Sequence, residues 1–294
     1  MRIVFIGAVE FSLKALEKVL SLDANVVGVC TLKASSFNSD FVDLTVCSNQ
    51  RNIPSLYVDD INSPTSLDWI ANLNPDIVFC FGWSRLLKSG ILNVAPMGVV
   101  GFHPAALPAN RGRHPIIWAL ALGLTETAST FFFMNEGADS GDILSQSFIP
   151  INDYDNARSL YDKVVSKALD QIEEFLPKLI AKDYFRIEQD DSKANTWRKR
   201  GREDGVIDWR MSAISIHNLV RALGKPYVGA EFHFNEVNYK VWKTEVVVSD
   251  VSNIEPGKVV DIDSSGFPVV KCGDKAIKLI YTEPVFMVTK GIYL

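Results

Sequence analysis

Short apolar runs alternate with helical segments throughout the first half of the chain. Arg2–Ile6, Asn25–Cys30 and Asp76–Phe81 are rich in β-branched and aromatic residues and are bounded by turn residues. Between them, Phe11–Leu20 and Ser66–Leu73 have helical periodicity. Such alternation is typical of parallel strands buried on both faces. The sequence therefore predicts an α/β fold with an open, mostly parallel Rossmann-like sheet and helices on both of its faces.

The pattern continues towards the middle of the chain. Further strands are predicted at Val99–Phe102, Thr127–Met134 and Ile143–Ile149. Further helices are predicted at Phe41–Gln50, Pro115–Leu122, Asn156–Ala181 and Ile207–Leu223. The segment Thr31–Asp43 is polar and rich in serine, which predicts a loop.

The last third of the chain has a different composition. Five short runs separated by turns indicate a small β-barrel-like domain, at Ala230–Phe234, Tyr239–Val248, Gly257–Ile262, Pro268–Lys271 and Ala276–Tyr281. We predict one domain over residues 1–183, a linker over 184–206, and a helix with the small β domain over 207–294. The basic run RKRGRED, residues 198–204, is interpreted as part of a solvated linker.

Composition narrows the possible partners and compartment. The net charge is -5 and the pI about 5.5, which disfavours nucleic acid as the main partner. The scattered cysteines are predicted to be buried and reduced, and no metal site is expected because the histidines do not cluster with them. No apolar run is long enough for a transmembrane helix, and the first residues do not resemble a signal peptide. We therefore expect a cytoplasmic protein without a membrane partner.

His103 and Asp139 are the predicted acid–base pair. His103 follows an apolar strand and precedes Pro104, while Asp139 lies in a turn next to Gly141. Open α/β sheets place their chemistry at the carboxyl ends of strands, and we expect both residues at such ends. A carboxylate there would orient the imidazole and raise its basicity. Asp142 is the rival acid, ranked lower because it leads directly into the next strand.

Two other turns are candidates for ligand contacts. Gly7 and Ala8 follow the first strand, where a helix N-terminus could bind a substrate phosphate. The glycine pattern of a dinucleotide-binding turn is absent there, so a nicotinamide cofactor is disfavoured. Trp83 and the residues after it follow the Asp76–Phe81 strand, and either a pocket for a flat heterocycle or ordinary packing would explain them.

The motifs GFHPAALPANRG and ADSGDI resemble the signature of the formyltransferases that use N10-formyltetrahydrofolate. The resemblance spans nearly the whole chain. FIGAVEFSLKAL is similar to the family's first strand and helix, and REDGVIDW and PGKVV resemble the linker and C-terminal barrel of the methionyl-tRNA formyltransferase branch. The resemblance implies a formyltransferase with N10-formyltetrahydrofolate as cofactor.

The resemblance also implies roles for individual residues. His103 and Asp139 match the catalytic histidine and aspartate. The predicted cofactor-binding residues are Trp83, Arg85, Leu86, Leu87, Met134, Glu136, Gly137 and Ala138, on the two loops that match the walls of the pterin site. The predicted substrate-binding residues are Gly7, Ala8, Asn110 and Arg111.

One position departs from the family pattern. The family has a catalytic asparagine two residues before the histidine, and this chain has Gly101 there. Glycine has no side chain that could donate a hydrogen bond to the formyl oxygen, and removal of one such donor typically costs roughly a hundredfold to a thousandfold in rate. Another donor such as Asn110 replaces it, or the enzyme is slow, or the chain is a non-catalytic folate- or sugar-binding protein.

The acceptor amine is predicted from the charge of the chain and from short sequence segments that resemble one branch of the family. The tRNA-acting branch is expected to carry a basic insertion after the second strand, and this chain has LKASSFNSDFVDL there, with Lys33 as its one basic residue. SSFNSDFVDL, NRGRHPIIWALALG and RALGKPYVGA look more like the sugar N-formyltransferases. We therefore expect the acceptor to be a nucleotide-linked amino sugar, such as a 4-amino-4-deoxysugar. Methionyl-tRNA remains the alternative, and a homodimer is possible.

Overall fold

The computed structural model describes residues 1–35, 40–248 and 252–294 of the chain. The strands are β1 Arg2–Ile6, β2 Asn25–Thr31, β3 Ser55–Tyr57, β4 Ile77–Cys80, β5 Val99–His103, β6 Arg111–Gly112, β7 Glu126–Phe133, β8 Ile143–Pro150, β9 Thr196–Trp197, β10 Ala230–Phe234, β11 Val237–Val247, β12 Val259–Ile262, β13 Pro268–Lys271 and β14 Ala276–Glu283. The helices are α1 Glu10–Ser21, α2 Thr45–Gln50, α3 Pro64–Asn72, α4 Ser89–Leu92, α5 Pro115–Ala121, α6 Ala157–Ala181 and α7 Ala213–Ala222.

The chain forms two compact units that do not follow one another simply along the sequence. The first comprises residues 1–115, 127–149 and 162–197, and the second comprises 116–126, 150–161 and 198–294. The first unit contains a seven-stranded sheet in the order β3-β2-β1-β4-β5-β7-β8. The pairs β1–β2, β1–β4, β2–β3 and β4–β5 are parallel, and β7 pairs antiparallel with β5. The predicted mostly parallel α/β sheet is confirmed.

Successive side chains along a strand point to opposite faces of the sheet. Because these strands are almost entirely apolar, both faces of this sheet are apolar. Ile6 and Cys80 point to one face, where they pack with Ile70 of α3 and with α4. Phe79 points to the other face and meets Phe175 of α6 edge to face, with the ring centroids 6.4 Å apart. Complete burial of a Phe or Ile side chain contributes about 1.5–3 kcal/mol, so the two layers supply much of this unit's stability.

The second unit contains the predicted C-terminal β domain. Its strands form an antiparallel sheet in the order β10-β11-β14-β13-β12. An aromatic cluster lies at its centre, in which Phe232 meets Phe286 and Trp209 edge to face at centroid distances of 5.1 and 5.4 Å. Helix α7 begins after Ser212, whose hydroxyl accepts a hydrogen bond from the Ser215 amide.

Two predicted helices are shorter in the structure than the sequence indicated. The predicted helix Ile207–Leu223 begins only at Ala213, because Ile207 donates instead to the Glu231 carbonyl and Asp208 stabilises a turn. The predicted helix Phe41–Gln50 begins at Thr45, whose amide donates to the Asp43 carboxylate. Competition from such Asp and Ser side chains with helical hydrogen bonds explains both errors.

Several smaller elements escaped sequence analysis. The edge strand β3, the short helix α4 and the pair β6–β9 are each too brief to show a period. The predicted loop Thr31–Asp43 includes residues 36–39, which lie outside the described residues. Most of the basic run 198–204 is exposed as predicted, but the guanidinium groups of Arg198 and Arg200 lie over the Trp118 ring, 5.4 and 4.5 Å from its centroid.

The cysteines are buried and unpaired, as predicted. Burial raises the pKa of the Cys30 thiol to about 12 and raises that of Cys80 as well, so both stay protonated at neutral pH. Among the described helices, none combines the length and apolar composition that crossing a bilayer requires.

Candidate active site

His103 is the last residue of β5, and its imidazole is held by the loop that follows. The ring Nε2 lies 2.8 Å from the backbone oxygen of Asn110. Because a carbonyl oxygen only accepts hydrogen bonds, Nε2 must carry a hydrogen and donate it. In the neutral ring, Nδ1 therefore keeps its lone pair. Asn110 adopts a left-handed conformation with φ 64°, which turns its carbonyl oxygen back towards the ring.

Asp139 faces the other ring nitrogen. Its Oδ2 lies 3.6 Å from His103 Nδ1, too far for a hydrogen bond but close enough for an ion pair. The same oxygen accepts a hydrogen bond of 2.8 Å from the Gly112 amide. The His103 side chain is 6% exposed and that of Asp139 is 22% exposed, so the carboxylate is the more accessible partner. The structure thus brings the two predicted catalytic residues together.

The strands bring His103 and Asp139 together in a way that differs from the prediction. We expected two neighbouring strands with their carboxyl ends at one edge, but β7 runs antiparallel to β5, and Phe133 pairs with Val100 near the start of β5. The loop after β7 must return along the sheet to bring Asp139 to His103. It does so through a turn in which the Asn135 side-chain oxygen accepts hydrogen bonds from the Gly137 amide and the Ser140 hydroxyl.

Gly112 lies on β6, at the end of the loop that follows β5, and this position requires a glycine. Its φ is +101°, and a Cβ atom there would lie 2.3 Å from the carbonyl oxygen of Trp197 on β9. No side chain fits in that space. The close approach lets β6 pair with β9 and aims the Gly112 amide at Asp139.

Met134 occupies the space beside Gly101 where the family's asparagine would begin. A Cβ atom on Gly101 would lie 2.7 Å from Met134 Cγ and 2.9 Å from its sulfur. Gly101 pairs with Phe132 on β7, and Met134 is two residues further on, so the contact is a cross-strand diagonal. The Met134 thioether therefore fills the space that an asparagine side chain at position 101 would enter, and a thioether is at most a weak hydrogen-bond acceptor.

The two predicted walls of the pterin site share one hydrophobic cluster. Leu87 is buried in it, and Trp83 and Met134 pack against its edge. Leu86 is 69% exposed, and the Trp83 indole nitrogen is buried without a partner among the described residues. The predicted residues Glu136, Gly137 and Ala138 are exposed on the opposite loop.

Sequence analysis missed the side chain that holds the Trp83 loop. The Asn62 amide nitrogen donates to the Leu86 carbonyl at 2.9 Å, and its oxygen accepts from the Lys88 amide at 2.7 Å. Leu87 lies between Leu86 and Lys88. In the described part of the chain, its backbone amide and carbonyl make no hydrogen bond. An exposed leucine, an unpartnered indole nitrogen and unused backbone groups fit a flat heterocycle with both donors and acceptors.

Two family profiles match this chain over most of its length. The family profile "Formyl transferase" matches residues 1–176, and "Formyl transferase, C-terminal domain" matches residues 200–284. The chain belongs to the formyl transferase family. The enzyme class implied by GFHPAALP and ADSGDI is thereby confirmed, and the chain is a formyltransferase.

The proteins that resemble this chain in sequence and in structure are of several kinds. A methionyl-tRNA formyltransferase of Chloroflexus aurantiacus is 29% identical over 97% of this chain and 92% of its own length. The N-formyltransferase of Helicobacter canadensis, solved with folinic acid and dTDP-3-aminofucose, has a TM-score of 0.69 at 19% identity and covers 94% of this chain and 98% of its own. HypX of Aquifex aeolicus has a TM-score of 0.67 at 15% identity over 96% of this chain, which spans 44% of HypX. The structural similarities concern the fold.

Three of the four predicted substrate-binding residues of this formyltransferase, Gly7, Ala8 and Arg111, already make hydrogen bonds within the protein. The Gly7 amide donates to the Cys30 carbonyl, and the Ala8 amide donates to the Ser12 hydroxyl at 3.1 Å. An anion at this turn would have to displace Ser12. The Arg111 guanidinium is 11% exposed and binds both Gln189 and Asp191.

The Asn110 side-chain amide makes no hydrogen bond within the described residues, so it remains the candidate donor for the acceptor or the formyl oxygen. In the parts of the chain that the structure covers, no three His, Cys, Asp or Glu side chains form a group that could hold a metal ion.

Proposed function

We propose that this formyltransferase moves a formyl group from N10-formyltetrahydrofolate to the amine of a nucleotide-linked amino sugar, with His103 and Asp139 as the acid–base pair. The observation that carries the proposal is their geometry: His103 Nδ1 faces Asp139 Oδ2 at 3.6 Å, while Nε2 is fixed by Asn110. An imidazole fixed at one nitrogen and facing a carboxylate at the other is suited to receive and release a proton.

The formyl donor would bind between the two loops that share the hydrophobic cluster. Trp83 and Met134 supply apolar contacts, Leu86 extends the surface, and the unused backbone groups of Leu87 supply hydrogen bonds. When bound, N10-formyltetrahydrofolate would supply a formyl group already activated for transfer. The protein then has to supply position, exclusion of water and a place for one proton.

His103 and Asp139 would divide the proton transfer between them. Asp139 is the more exposed, so it meets the acceptor amine and accepts its hydrogen. His103 Nδ1 would take up the proton while the Asp139 carboxylate stabilises the imidazolium that results, and the imidazolium would then release the proton to the nitrogen from which the formyl group departs. The hydrogen bond from His103 Nε2 to the Asn110 carbonyl keeps the ring from turning during this step.

A nucleotide-linked amino sugar is the acceptor that composition and fold support best. The net charge of -5 and the single lysine in the described part of the loop after β2 offer little to a tRNA backbone. The Helicobacter canadensis enzyme of similar fold was solved with dTDP-3-aminofucose. We keep the 4-amino-4-deoxysugars as the predicted subclass and include 3-amino sugars among the test substrates.

A transfer assay tests the proposal directly. Purified protein with N10-formyltetrahydrofolate is offered dTDP-linked 3-amino and 4-amino sugars, and the N-formyl product is measured by mass spectrometry. We expect formylation of at least one sugar and its loss in His103→Ala and Asp139→Asn, both folded like the parent. Transfer at the parental rate by both variants would contradict the assigned roles.

Methionyl-tRNA is the second candidate acceptor, favoured by the 29% identity to the Chloroflexus aurantiacus enzyme over nearly the whole chain. Charged initiator tRNA belongs in the same assay at two salt concentrations. Formylation of tRNA, weakened by salt as phosphate contacts require, with no sugar formylated, would replace our proposal.

A further inference from the structure

The segment predicted to be a linker contains a buried glutamine next to the active site. Gln189 is 8% exposed, and all the bonding capacity of its side-chain amide is used. Its nitrogen donates to the backbone carbonyls of Asp139 and Gly141 at 2.9 and 2.7 Å. Its oxygen accepts from Arg111 Nε and Nη2 at 3.1 and 2.7 Å.

These bonds allow only one orientation of the Gln189 amide. Backbone carbonyls only accept and a guanidinium only donates, so rotation of the amide by half a turn would place like groups against each other. Gln189 therefore connects the loop after β7, which carries Asp139, to the loop after β5, which carries Arg111, and fixes the position of one loop relative to the other. Segment 187–197 is held at both ends, by the bridge of Ile187 with Ile143 and by the pairing of β9 with β6.

The two loops joined by Gln189 are the ones that build the acid–base pair. The residues on either side of Arg111 make the decisive contacts: the Asn110 carbonyl binds His103, and the Gly112 amide binds Asp139. Asn110 and Asp139 both have left-handed backbone conformations, with φ of 64° and 52°. Such conformations in residues other than glycine persist where the surroundings impose them.

We propose that Gln189 is a positioning residue, which sets the distance between His103 and Asp139 by holding the two catalytic loops together. It touches no reacting atom and acts through the Asp139 backbone and through Arg111. This inference rests on the proposed roles of His103 and Asp139. It gives Arg111 a structural task in place of the substrate contact expected from sequence.

The first experiment needs no substrate. Hydrogen exchange of the ligand-free protein is followed by mass spectrometry over residues 109–114 and 135–142, for the parent and for Gln189→Met. Methionine has a similar length but no polar donors or acceptors comparable to the amide. We expect faster exchange in both segments, because the Gly112 amide loses a fixed partner when the Asp139 loop is released.

Gln171→Met is the matched control. Gln171 is also buried, at 2% exposure, and its amide nitrogen donates to the Ser129 carbonyl and the Ser145 hydroxyl. It contacts neither catalytic loop through these bonds. We expect it to lower thermal stability as Gln189→Met does, without faster exchange in segments 109–114 and 135–142. Equal effects of both variants on those segments would overturn the proposal.

The second experiment measures kcat and KM with N10-formyltetrahydrofolate and a dTDP-linked amino sugar. Misplacement of a catalytic group by about 1 Å costs roughly a hundredfold, so we expect Gln189→Met to lower kcat by about 10- to 100-fold with little change in either KM. The pH dependence of kcat should change as well, because the coupling of His103 to Asp139 changes. Gln171→Met should keep the parental kcat per folded molecule.

Gln189→Glu distinguishes the contribution of the hydrogen bonds to Arg111 from that of the hydrogen bonds to the Asp139 and Gly141 carbonyls. The carboxylate still accepts from Arg111 but cannot donate to the Asp139 and Gly141 carbonyls, so we expect a loss of kcat similar to that of Gln189→Met. A parental kcat in both Gln189 variants, with activity lost in His103→Ala, would overturn the positioning role alone. A parental kcat in His103→Ala and Asp139→Asn would overturn the proposed function and this inference with it.

Discussion

Asp139 and Glu231 are carboxylates of low exposure in different compact units, and they differ in the number of hydrogen-bond donors around them. Glu231, 4% exposed, accepts hydrogen bonds from Lys240, from Asn238 at 2.8 Å and from Arg202 at 2.9 Å. Asp139 Oδ2 accepts one, from the Gly112 amide, and faces His103 beyond hydrogen-bond distance. A carboxylate saturated with donors is fixed in its charged form, whereas one with unused capacity can exchange a proton with a ligand.

The largest effect is expected when the less saturated carboxylate is altered. Asp139→Asn keeps an oxygen for the Gly112 amide but loses the negative charge that accepts the amine's hydrogen and stabilises the His103 imidazolium, so kcat should fall by roughly 10²- to 10⁴-fold. The melting temperature should change little, because the backbone hydrogen bond survives. Steady-state kinetics beside thermal unfolding measures both.

Asp142→Asn is the control for that experiment, because Asp142 is the rival acid. Its backbone carbonyl accepts from the Phe133 amide whatever the side chain is. We expect near-parental kcat. A loss of activity in Asp142→Asn with Asp139→Asn unaffected would reverse the assignment of the acid.

The next effect is expected at the saturated carboxylate, and on stability. Glu231→Ala leaves the partly buried Lys240 and Asn238 without their acceptor, which should lower the free energy of unfolding by about 1–3 kcal/mol. Arg202 adds little because its side chain is 75% exposed. Urea unfolding measures the loss. An unchanged midpoint of unfolding would show that the cluster is not structural, and the contrast with Asp139 would then fail.

A third, smaller effect is expected from filling the space beside Gly101, two residues before His103. Gly101→Asn pushes a new side chain against Met134, and overpacking costs about 1–3 kcal/mol, with the low end expected here because a methionine can move. The double variant Gly101→Asn with Met134→Ala should regain part of that loss beyond the sum of the single variants. Urea unfolding of all four proteins forms the cycle. Strict additivity would mean that the two side chains do not compete for one space.

Much of the fold could be predicted because its signals are local. The short runs predicted as strands at Arg2–Ile6, Ala230–Phe234 and Pro268–Lys271 coincide with observed strands, since apolar side chains and the turn residues at both ends leave a pattern that is visible within a few residues. Strand direction is not local. Nothing near Glu126–Phe133 reveals that β7 runs antiparallel to β5, so the expectation that His103 and Asp139 lie close together rested on a wrong geometric premise.

The supporting residues of the site could not be predicted for a similar reason. Gln189 is 50 residues from the carbonyl of Asp139 that it binds, and Asn62 is 24 residues from that of Leu86. A glutamine in a polar, charged segment looks like solvated chain. The one signal available is Gly112, since a glycine between two arginines suggests close approach of another backbone. Which backbone approaches follows only from the fold.

The smallest effect is the pH dependence of the stability that Glu231 contributes. Burial of Glu231 disfavours its charged form, but the hydrogen bonds from Lys240, Asn238 and Arg202 outweigh burial and lower its pKa from 4.5 to about 2. The folded protein therefore holds this carboxylate charged at pH values where the unfolded chain protonates it. The stability it contributes is complete above about pH 4.5 and is lost as the pH falls towards 2. The free energies of unfolding of the parent and Glu231→Gln should thus differ at pH 6 and converge between about pH 4 and 2. Subtracting one curve from the other cancels the remaining carboxylates. A difference that stays constant over this range would show that the cluster does not hold Glu231 in its charged form, and saturation by donors would no longer distinguish it from Asp139.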